Sequence, residues 1–227
     1  MLPIAINVNI LRMNSFGEAE LQELALRAIV AQRCQRAYLH DLRGGLQAIA
    51  SSVELLSRAA TAKPINSELV EKSTTFFKRA SAEHERTLGR SLDDICGSSE
   101  ERLALELRGL LQELVSFLQN DAVSKDVKLD LLTDDVVTVE AHRANVRLVV
   151  LSLLTQGIDQ SAPGMAIALR LSASPRPTLD INGISGDRRS AAFSLLLAVS
   201  QRLMAMDGGT IEPRDNGSGS TGWILRW

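Results

Sequence analysis

Apolar residues recur every three or four positions through the first third of the chain, which is the period of an amphipathic α-helix. From residue 18 to about residue 60 there is no proline, and good helix formers dominate. Within this stretch the apolar positions are spaced by four, three, four and three residues: Leu42, Leu46, Ile49, Val53 and Leu56. That spacing is typical of the seam of a helical bundle.

A second helix is predicted over residues 68–95, after a break that contains Pro64 and ends at Asn66 or Ser67 as the N-cap. Gly97-Ser98-Ser99 is expected to end this helix. Two long helices joined by a short loop form a hairpin that cannot bury both of its faces by itself. We therefore predict a homodimer in which two hairpins pair into a four-helix bundle.

After residue 99 the pattern becomes a mixture of helical and alternating segments. Helices are predicted over residues 103–120, 144–158 and 189–206, the last of them capped by Gly208-Gly209. Strands are predicted over residues 127–134, 136–140, 166–172 and 177–181, with a hairpin at the C-terminus. This mixture favours an α+β sandwich with helices on one face. The predicted organisation is an N-terminal segment, a helical hairpin and a sandwich domain: residues 1–17, 18–97 and 98–227.

The chain of 227 residues has 45% hydrophobic and 23% charged side chains, a composition typical of globular proteins. Its formal net charge of −2 provides no cationic field for nucleic acid and no basic run for a membrane surface. Cys34 and Cys96 lie far apart, and the histidines are dispersed, which argues against a disulfide framework and a metal site. Because no apolar stretch approaches the ~18 residues that span a bilayer, and the N-terminus lacks signal-peptide features, we predict a cytoplasmic chain.

The most informative pair of residues is His40-Asp41 on the first predicted helix. At about 100° per residue, His40 lies roughly 160° from the mean direction of the apolar seam, so it should face solvent. Asp41 can hold one ring nitrogen as N–H and leave the other nucleophilic, which suits a phosphoryl acceptor. A lone surface histidine is also common without any function, so the pattern alone leaves both interpretations open.

The segment His40-Asp41-Leu42-Arg43, followed by Leu46, Ala48-Ile49, Glu54 and Leu55-Leu56, resembles the phosphoacceptor box of bacterial two-component histidine kinases. The hairpin resembles the dimerisation and phosphotransfer module of that family. Three later segments resemble its ATP-binding domain in the family's order: residues 106–135, 145–164 and 195–213. The resemblance covers roughly residues 20–227.

The resemblance also locates departures from the family's nucleotide site. Gln156 stands where the family has an asparagine that binds Mg²⁺, and its extra methylene suits octahedral geometry poorly. Ile181 stands where the adenine-binding Asp-x-Gly-x-Gly begins, with Asp180 adjacent, and Ser194-Leu195-Leu196-Leu197 replaces the glycine-rich phosphate loop. The resemblance therefore implies a degenerate domain that uses no ATP, metal or other cofactor of its own, the Mg²⁺ coming from the partner receiver domain.

A chain that keeps the histidine and loses the nucleotide site resembles the dimeric histidine phosphotransferases of bacterial phosphorelays. This implies that His40 relays phosphoryl groups between response-regulator receiver domains, with a hybrid histidine kinase as a further candidate partner. Asp41 would orient the imidazole and Arg43 would screen phosphoryl charge. Two alternatives stay open: a non-catalytic pseudo-kinase module that docks a response regulator or kinase, and an autokinase with a divergent nucleotide site.

Other residues receive structural interpretations. His84 lies on the apolar line of the second helix and is expected to be at least half-buried, whereas His142 is expected at the surface without a role. Gly44-Gly45 occupies positions where the kinases carry a polar residue and then proline. Trp223 and Trp227 are expected in the core of the sheet.

Overall fold

A computed structural model describes residues 17–62, 66–96, 101–133, 135–184, 191–215 and 221–227. It begins with a helical hairpin, in which α1 spans Glu18–Thr61 and α2 spans Ser67–Cys96. Both helices agree with the sequence prediction to within one residue at each end. Asn66 caps α2, since its side-chain oxygen accepts a hydrogen bond of 2.9 Å from the backbone N–H of Leu69.

Small side chains hold the two helices of the hairpin together. Among the described residues, the buried positions along the paired stretch are two serines and two alanines: Ser52, Ala59, Ser73 and Ala80. Larger residues of the predicted seam stay outside this contact, with Leu46 56% and Val53 51% exposed. The small side chains allow the two helices to pack closely. The exposed side chains leave an apolar stripe on α1 that a single chain does not cover.

The second half of the chain contains the remaining helices and all the described strands. The helices are α3 (Leu107–Ser124), α4 (Arg143–Gln160) and α5 (Ala191–Met206). The strands are β1 (Leu103–Glu106), β2 (Lys128–Leu132), β3 (Thr138–Ala141), β4 (Ala166–Ser172), β5 (Thr178–Ile184), β6 (Thr210–Asp215) and β7 (Thr221–Arg226). Five strands form a sheet in the order β2-β4-β5-β7-β6, in which β2 and β4 are parallel and the other pairs antiparallel. The predicted α+β class is confirmed.

The sheet buries only one of its faces. Alternate residues of β4, β5 and β7 enter the core beneath the helices, among them Ile167, Ile181 and Leu225. The opposite face carries ion pairs, with 2.7 Å separating Arg214 Nη1 from Asp180 Oδ2. Trp223 is buried and stacks on Phe193, as its predicted core position requires, whereas Trp227 is half-buried.

The prediction of a helix beginning at residue 103 is wrong. Residues 103–106 form β1, which pairs antiparallel with β3 and places Leu103 opposite Ala141. The helix starts only at Leu107, where the Glu106 carboxylate accepts a 2.9 Å hydrogen bond from the backbone N–H of Gly109. Helical periodicity cannot distinguish the two structures over four residues, and the distant partner strand decides between them.

The end of α5 agrees with the prediction, because Gly208 follows it with a φ of +74°, the left-handed conformation of a helix C-cap. Some predicted features lie outside the described residues: the N-terminal segment to residue 16, Pro64, Gly97-Ser98-Ser99 and the helix start at Arg189. The domain boundary near residue 97 stays a prediction.

The first half of α1 packs against α3, α4 and α5 of the sandwich domain. Its buried side chains are spaced as one helical face: Leu26, Val30, Cys34 and Tyr38. Ion pairs flank this contact, at 3.0 Å between Arg33 and Asp159 and 2.8 Å between Arg202 and Glu23. The chain therefore fixes His40 close to the point where α1 leaves the sandwich domain. Among the described helices, none is long and apolar enough to cross a membrane.

Candidate functional site

His40 lies on α1 two residues after Tyr38, the last side chain of that helix buried against the sandwich domain. The His40 side chain is 68% exposed, which agrees with the direction predicted from the helical angle, and that of Asp41 is 42% exposed. His40 Nδ1 lies 3.3 Å from Asp41 Oδ1. Because a carboxylate only accepts hydrogen bonds, this contact places the ring hydrogen on Nδ1 and leaves the Nε2 lone pair free. The arrangement suits a nucleophile.

A cleft of about 390 Å³ opens between the hairpin and the sandwich domain beside His40. Its hairpin side includes Asp41, Glu83 and His84, and its other side includes Glu113 and Phe117. On the opposite side of His40 from Asp41, a hollow of about 360 Å³ lies along α1. The hollow is lined by Arg36, Leu39, His40, Arg43, Gly44 and Gln47. His40 therefore separates two openings of different chemistry.

The two glycines that follow the site have different surroundings. A Cβ on Gly45 would lie 2.4 Å from His84 Nδ1, so the close approach of α2 requires glycine at this position. A Cβ on Gly44 would meet nothing within 4 Å. His84 is half-buried, as expected, and its Nδ1 has no hydrogen-bond partner among the described residues.

The far wall of the cleft is cross-linked by charged and aromatic contacts. Glu113 on α3 lies 2.5 Å from Arg143 and 2.7 Å from Arg147, both on α4. The Arg147 guanidinium lies 5.8 Å from the ring centroid of Phe117, and that ring lies 5.0 Å from the ring of Tyr38 on α1. These contacts hold the wall in place relative to the helix that carries His40.

Two of the positions at which the resemblance implies departures, Gln156 and Ile181, lie in closed surroundings. Gln156 is buried where α1 covers α4, and its Oε1 has no partner among the described residues. The void left beside it is about 20 Å³ and is bordered by residues of both helices, among them Val30 and Thr155. Ile181 is buried in the sheet, whereas its neighbour Asp180 binds Arg214 on the opposite face. Asp180 therefore cannot take the place of a carboxylate at position 181.

Sequence reasoning missed a second histidine–aspartate pair, because it gave His142 a surface role by default. His142 caps α4, and its Nδ1 lies 2.5 Å from Oδ1 of Asp207, which follows α5. The same oxygen accepts a 3.1 Å hydrogen bond from the His142 backbone N–H. The Asp207 side chain is fully buried and that of His142 is 28% exposed. The two residues lie 65 positions apart, so no local pattern indicates their contact.

The same corner of the domain is closed by Arg102. Its Nη2 donates to the Asp207 carbonyl oxygen at 2.9 Å, and its Nε donates to the Glu140 carbonyl oxygen at 2.8 Å. The corner therefore joins β1, β3, α4 and α5, and its geometry is that of a structural contact. Among the described residues, no three His, Cys, Asp or Glu side chains cluster as a metal site would require.

No family model matches the chain, and no curated protein matches it. The cytoplasmic segment of histidine kinase QseC is similar in structure, at 19% identity over 66% of this chain and 93% of that chain, with a TM-score of 0.49. The Acinetobacter baumannii histidine kinase AdeS is similar at 16% identity over 82% and 96%, with a TM-score of 0.47. A bacterial phosphotransferase is similar at 15% identity over 87% and 96%, with a TM-score of 0.41. At identities this low, function has to be inferred from the residues of the chain itself.

Proposed function

We propose that this chain is a histidine phosphotransfer protein that relays phosphoryl groups between response-regulator receiver domains in the cytoplasm, without using ATP. Nε2 of His40 attacks the phosphorus of a receiver's aspartyl phosphate; the acyl P–O bond breaks, an N–P bond forms, and the carboxylate leaves. A second receiver's carboxylate reverses these steps. The observation that carries the proposal is the exposed imidazole of His40, oriented by Asp41, on a helix whose first half covers Gln156.

The chemistry needs little beyond alignment and charge neutralisation. The hydrogen bond from Nδ1 to Asp41 fixes the ring and its tautomer, and the carboxylate stabilises the positive charge that the ring gains as the N–P bond forms. The receiver domain would bring the Mg²⁺ that neutralises the phosphoryl oxygens. This chain then supplies a nucleophile and a docking surface.

The packing of α1 supports a reaction without ATP. The void beside Gln156 is about 20 Å³, room for about one water molecule and far too small for a nucleotide. Opening it would separate Val30 from the core and break the ion pair between Arg33 and Asp159. The same packing argues against the autokinase alternative.

The uncovered apolar stripe supports a homodimer. Leu39, Leu46 and Val53 are each at least 43% exposed and follow one another at seven-residue intervals, so they form one line along α1. Leu69 and Phe76 are also exposed and seven residues apart on α2. Pairing of two hairpins would cover both lines. His40 lies on a different side of α1 and would stay open to a receiver.

The test is to incubate the full chain with a receiver domain carrying ³²P on its aspartate, with and without Mg-ATP. The chain should acquire label at the same rate in both cases, and His40→Ala should acquire none. Calorimetry should detect no Mg-ATP binding at millimolar nucleotide. Tight receiver binding without transfer of label would favour the docking-module alternative, and label acquired directly from ATP would favour the autokinase.

A further inference from the structure

Charge is distributed unevenly around His40. The cleft on the Asp41 side is bordered by the carboxylates of Asp41, Glu83 and Glu113 and by one guanidinium group, that of Arg147, which pairs with Glu113. The hollow on the other side has no acidic lining residue. Besides His40, its polar lining consists of two guanidinium groups, on Arg36 and Arg43, and the neutral amide of Gln47. An anionic group at His40 therefore meets guanidinium groups and no carboxylate in the hollow, whereas in the cleft the carboxylates outnumber the one lining guanidinium group.

The two arginines of the hollow differ from most others on the hairpin. Arg27, Arg33, Arg58 and Arg86 each form an ion pair with a carboxylate. Within the described part of the chain, neither Arg36 nor Arg43 pairs with an acidic side chain, and both are exposed. They lie four residues before and three residues after His40, so all three side chains emerge from the same side of α1. Two guanidinium groups with unused donors thus bracket the imidazole.

The hydrogen bond to Asp41 decides which ring nitrogen is available to a phosphoryl group. It occupies Nδ1, so Nε2 is the nitrogen left to react. Asp41 follows His40 by one residue and lies about 100° around the helix, whereas Arg36 and Arg43 lie roughly 40° and 60° around it in the other direction. The hollow that the two arginines line together with His40 is therefore the opening on the side away from the Asp41 carboxylate.

We propose that this hollow is a phosphoryl subsite in which Arg36 and Arg43 donate to the oxygens of a phosphoryl group on or approaching Nε2, with Gln47 at its edge. This inference rests on the proposed function for its biological use, but the subsite itself requires only an anionic phosphoryl donor. Arg36 is the new element, because the sequence singled out Arg43 alone. Guanidinium groups suit this task because their donors match phosphoryl oxygens in pairs.

Potassium phosphoramidate tests the subsite without any receiver. The P–N bond of phosphoramidate breaks and ammonia leaves while His40 Nε2 forms the new N–P bond, and Nδ1 keeps its proton against Asp41. The labelling of His40 is measured as the difference between the label on the wild type and the label on His40→Ala. At low salt we expect Arg36→Gln and Arg43→Gln each to slow the labelling of His40 about threefold, and the double variant to slow it about tenfold. About 1 M salt should remove most of the difference, since the charges are exposed.

The matched control is Arg79→Gln, which removes an exposed arginine of α2 that does not line the hollow. Glutamine is a good helix former, so helix content measured by circular dichroism should stay unchanged in every variant. Labelling of the double variant at the rate of Arg79→Gln would overturn the subsite. If receivers fail to label His40 while the arginine effect with phosphoramidate remains, the subsite stands and the proposed relay function falls; the reverse result rejects the subsite alone.

Discussion

Among the described residues, two histidine–aspartate pairs use the same atoms in opposite surroundings. His40 and Asp41 are neighbours on an exposed turn of α1, with a contact of 3.3 Å. His142 and Asp207 meet across the sandwich domain at 2.5 Å, and the aspartate is completely buried. In the first pair the carboxylate leaves a free ring nitrogen facing solvent. In the second pair the carboxylate also accepts a hydrogen bond from the backbone N–H of His142 at the start of α4. Its removal would leave this N–H and the ring N–H of His142 without that partner.

This difference shows that pairing of histidine with aspartate does not by itself identify a reactive site. What distinguishes His40 is access, with one opening on each side of the ring and a small-residue hairpin beneath it. What distinguishes His142 is its position between α4 and α5, where the pair closes a corner of the core. We therefore propose a chemical role for the first pair and a structural role for the second.

The largest expected effect concerns the uncovered stripe next to the exposed pair. Leu46→Glu combined with Val53→Glu should weaken the dimer by about a thousandfold or more, because each dimer would bury four carboxylates in an apolar seam. Light scattering at micromolar concentration should show the wild type as a dimer and this variant as a folded monomer. Val136→Glu alters a side chain of the sandwich domain that is 70% exposed and is the control. A monomeric wild type would refute the bundle.

A second prediction compares the two aspartates directly. Asp207→Ala should lower the free energy of unfolding by about 3 kcal/mol, since it leaves the His142 ring and backbone N–H groups unpaired in a buried corner. Asp41→Ala should change it by no more than about 0.5 kcal/mol because that carboxylate is at the surface. Urea unfolding of both variants measures the difference. Equal losses would mean that the exposed pair is also structural.

The third prediction concerns a substitution that removes the negative charge of Asp41 and keeps the shape of its side chain. Asp41→Asn keeps an oxygen that can accept from Nδ1 but removes the negative charge, so phosphoryl transfer to His40 should slow about tenfold, or ~1.4 kcal/mol in the barrier. Single-turnover transfer from a labelled receiver measures this rate. The same exchange at Asp207 should leave the rate of the folded fraction unchanged. A slower rate in Asp207→Asn alone would reverse the assignment of the two pairs.

The smallest effect distinguishes the two glycines beside His40. Gly44→Ala should stabilise the protein by up to about 1 kcal/mol, because the helix gains and the new methyl group meets open space. Gly45→Ala has the same helical gain but displaces His84, so it should destabilise by about 1 kcal/mol. Adding His84→Ala should recover that loss. Thermal unfolding of the wild type, Gly45→Ala, His84→Ala and the variant with both changes forms a double-mutant cycle, and additive effects would contradict the contact.

Local pattern was enough to predict much of the fold. The ends of α1 and α2, the cap at Asn66 and the direction of His40 all follow from periodicity and from interactions within one helical turn. The same reasoning placed a helix at residues 103–106, where pairing with β3 produces a strand. Interactions within a turn are readable in sequence, whereas those that depend on a distant strand are not.

The surroundings of the site were less accessible to sequence reasoning. Adjacency in the chain revealed Asp41, but the contact between Gly45 and His84 depends on the distance between two helices. Arg36 stands one turn before His40 and could have been noticed by its helical spacing; its lack of an acidic partner appears only in the structure. The covering of Gln156 by α1 required the packing of the two halves of the chain.

The most direct test of the central claim is a relay reconstituted from two receiver domains and this chain, with ³²P on the first receiver and no ATP present. We expect label to appear on the second receiver with the wild type and with His142→Ala, once the latter is corrected for its folded fraction. His40→Ala should stop the relay while receiver binding, measured by calorimetry, is retained. Relay that persists in His40→Ala would contradict the account, and so would relay that fails in folded His142→Ala.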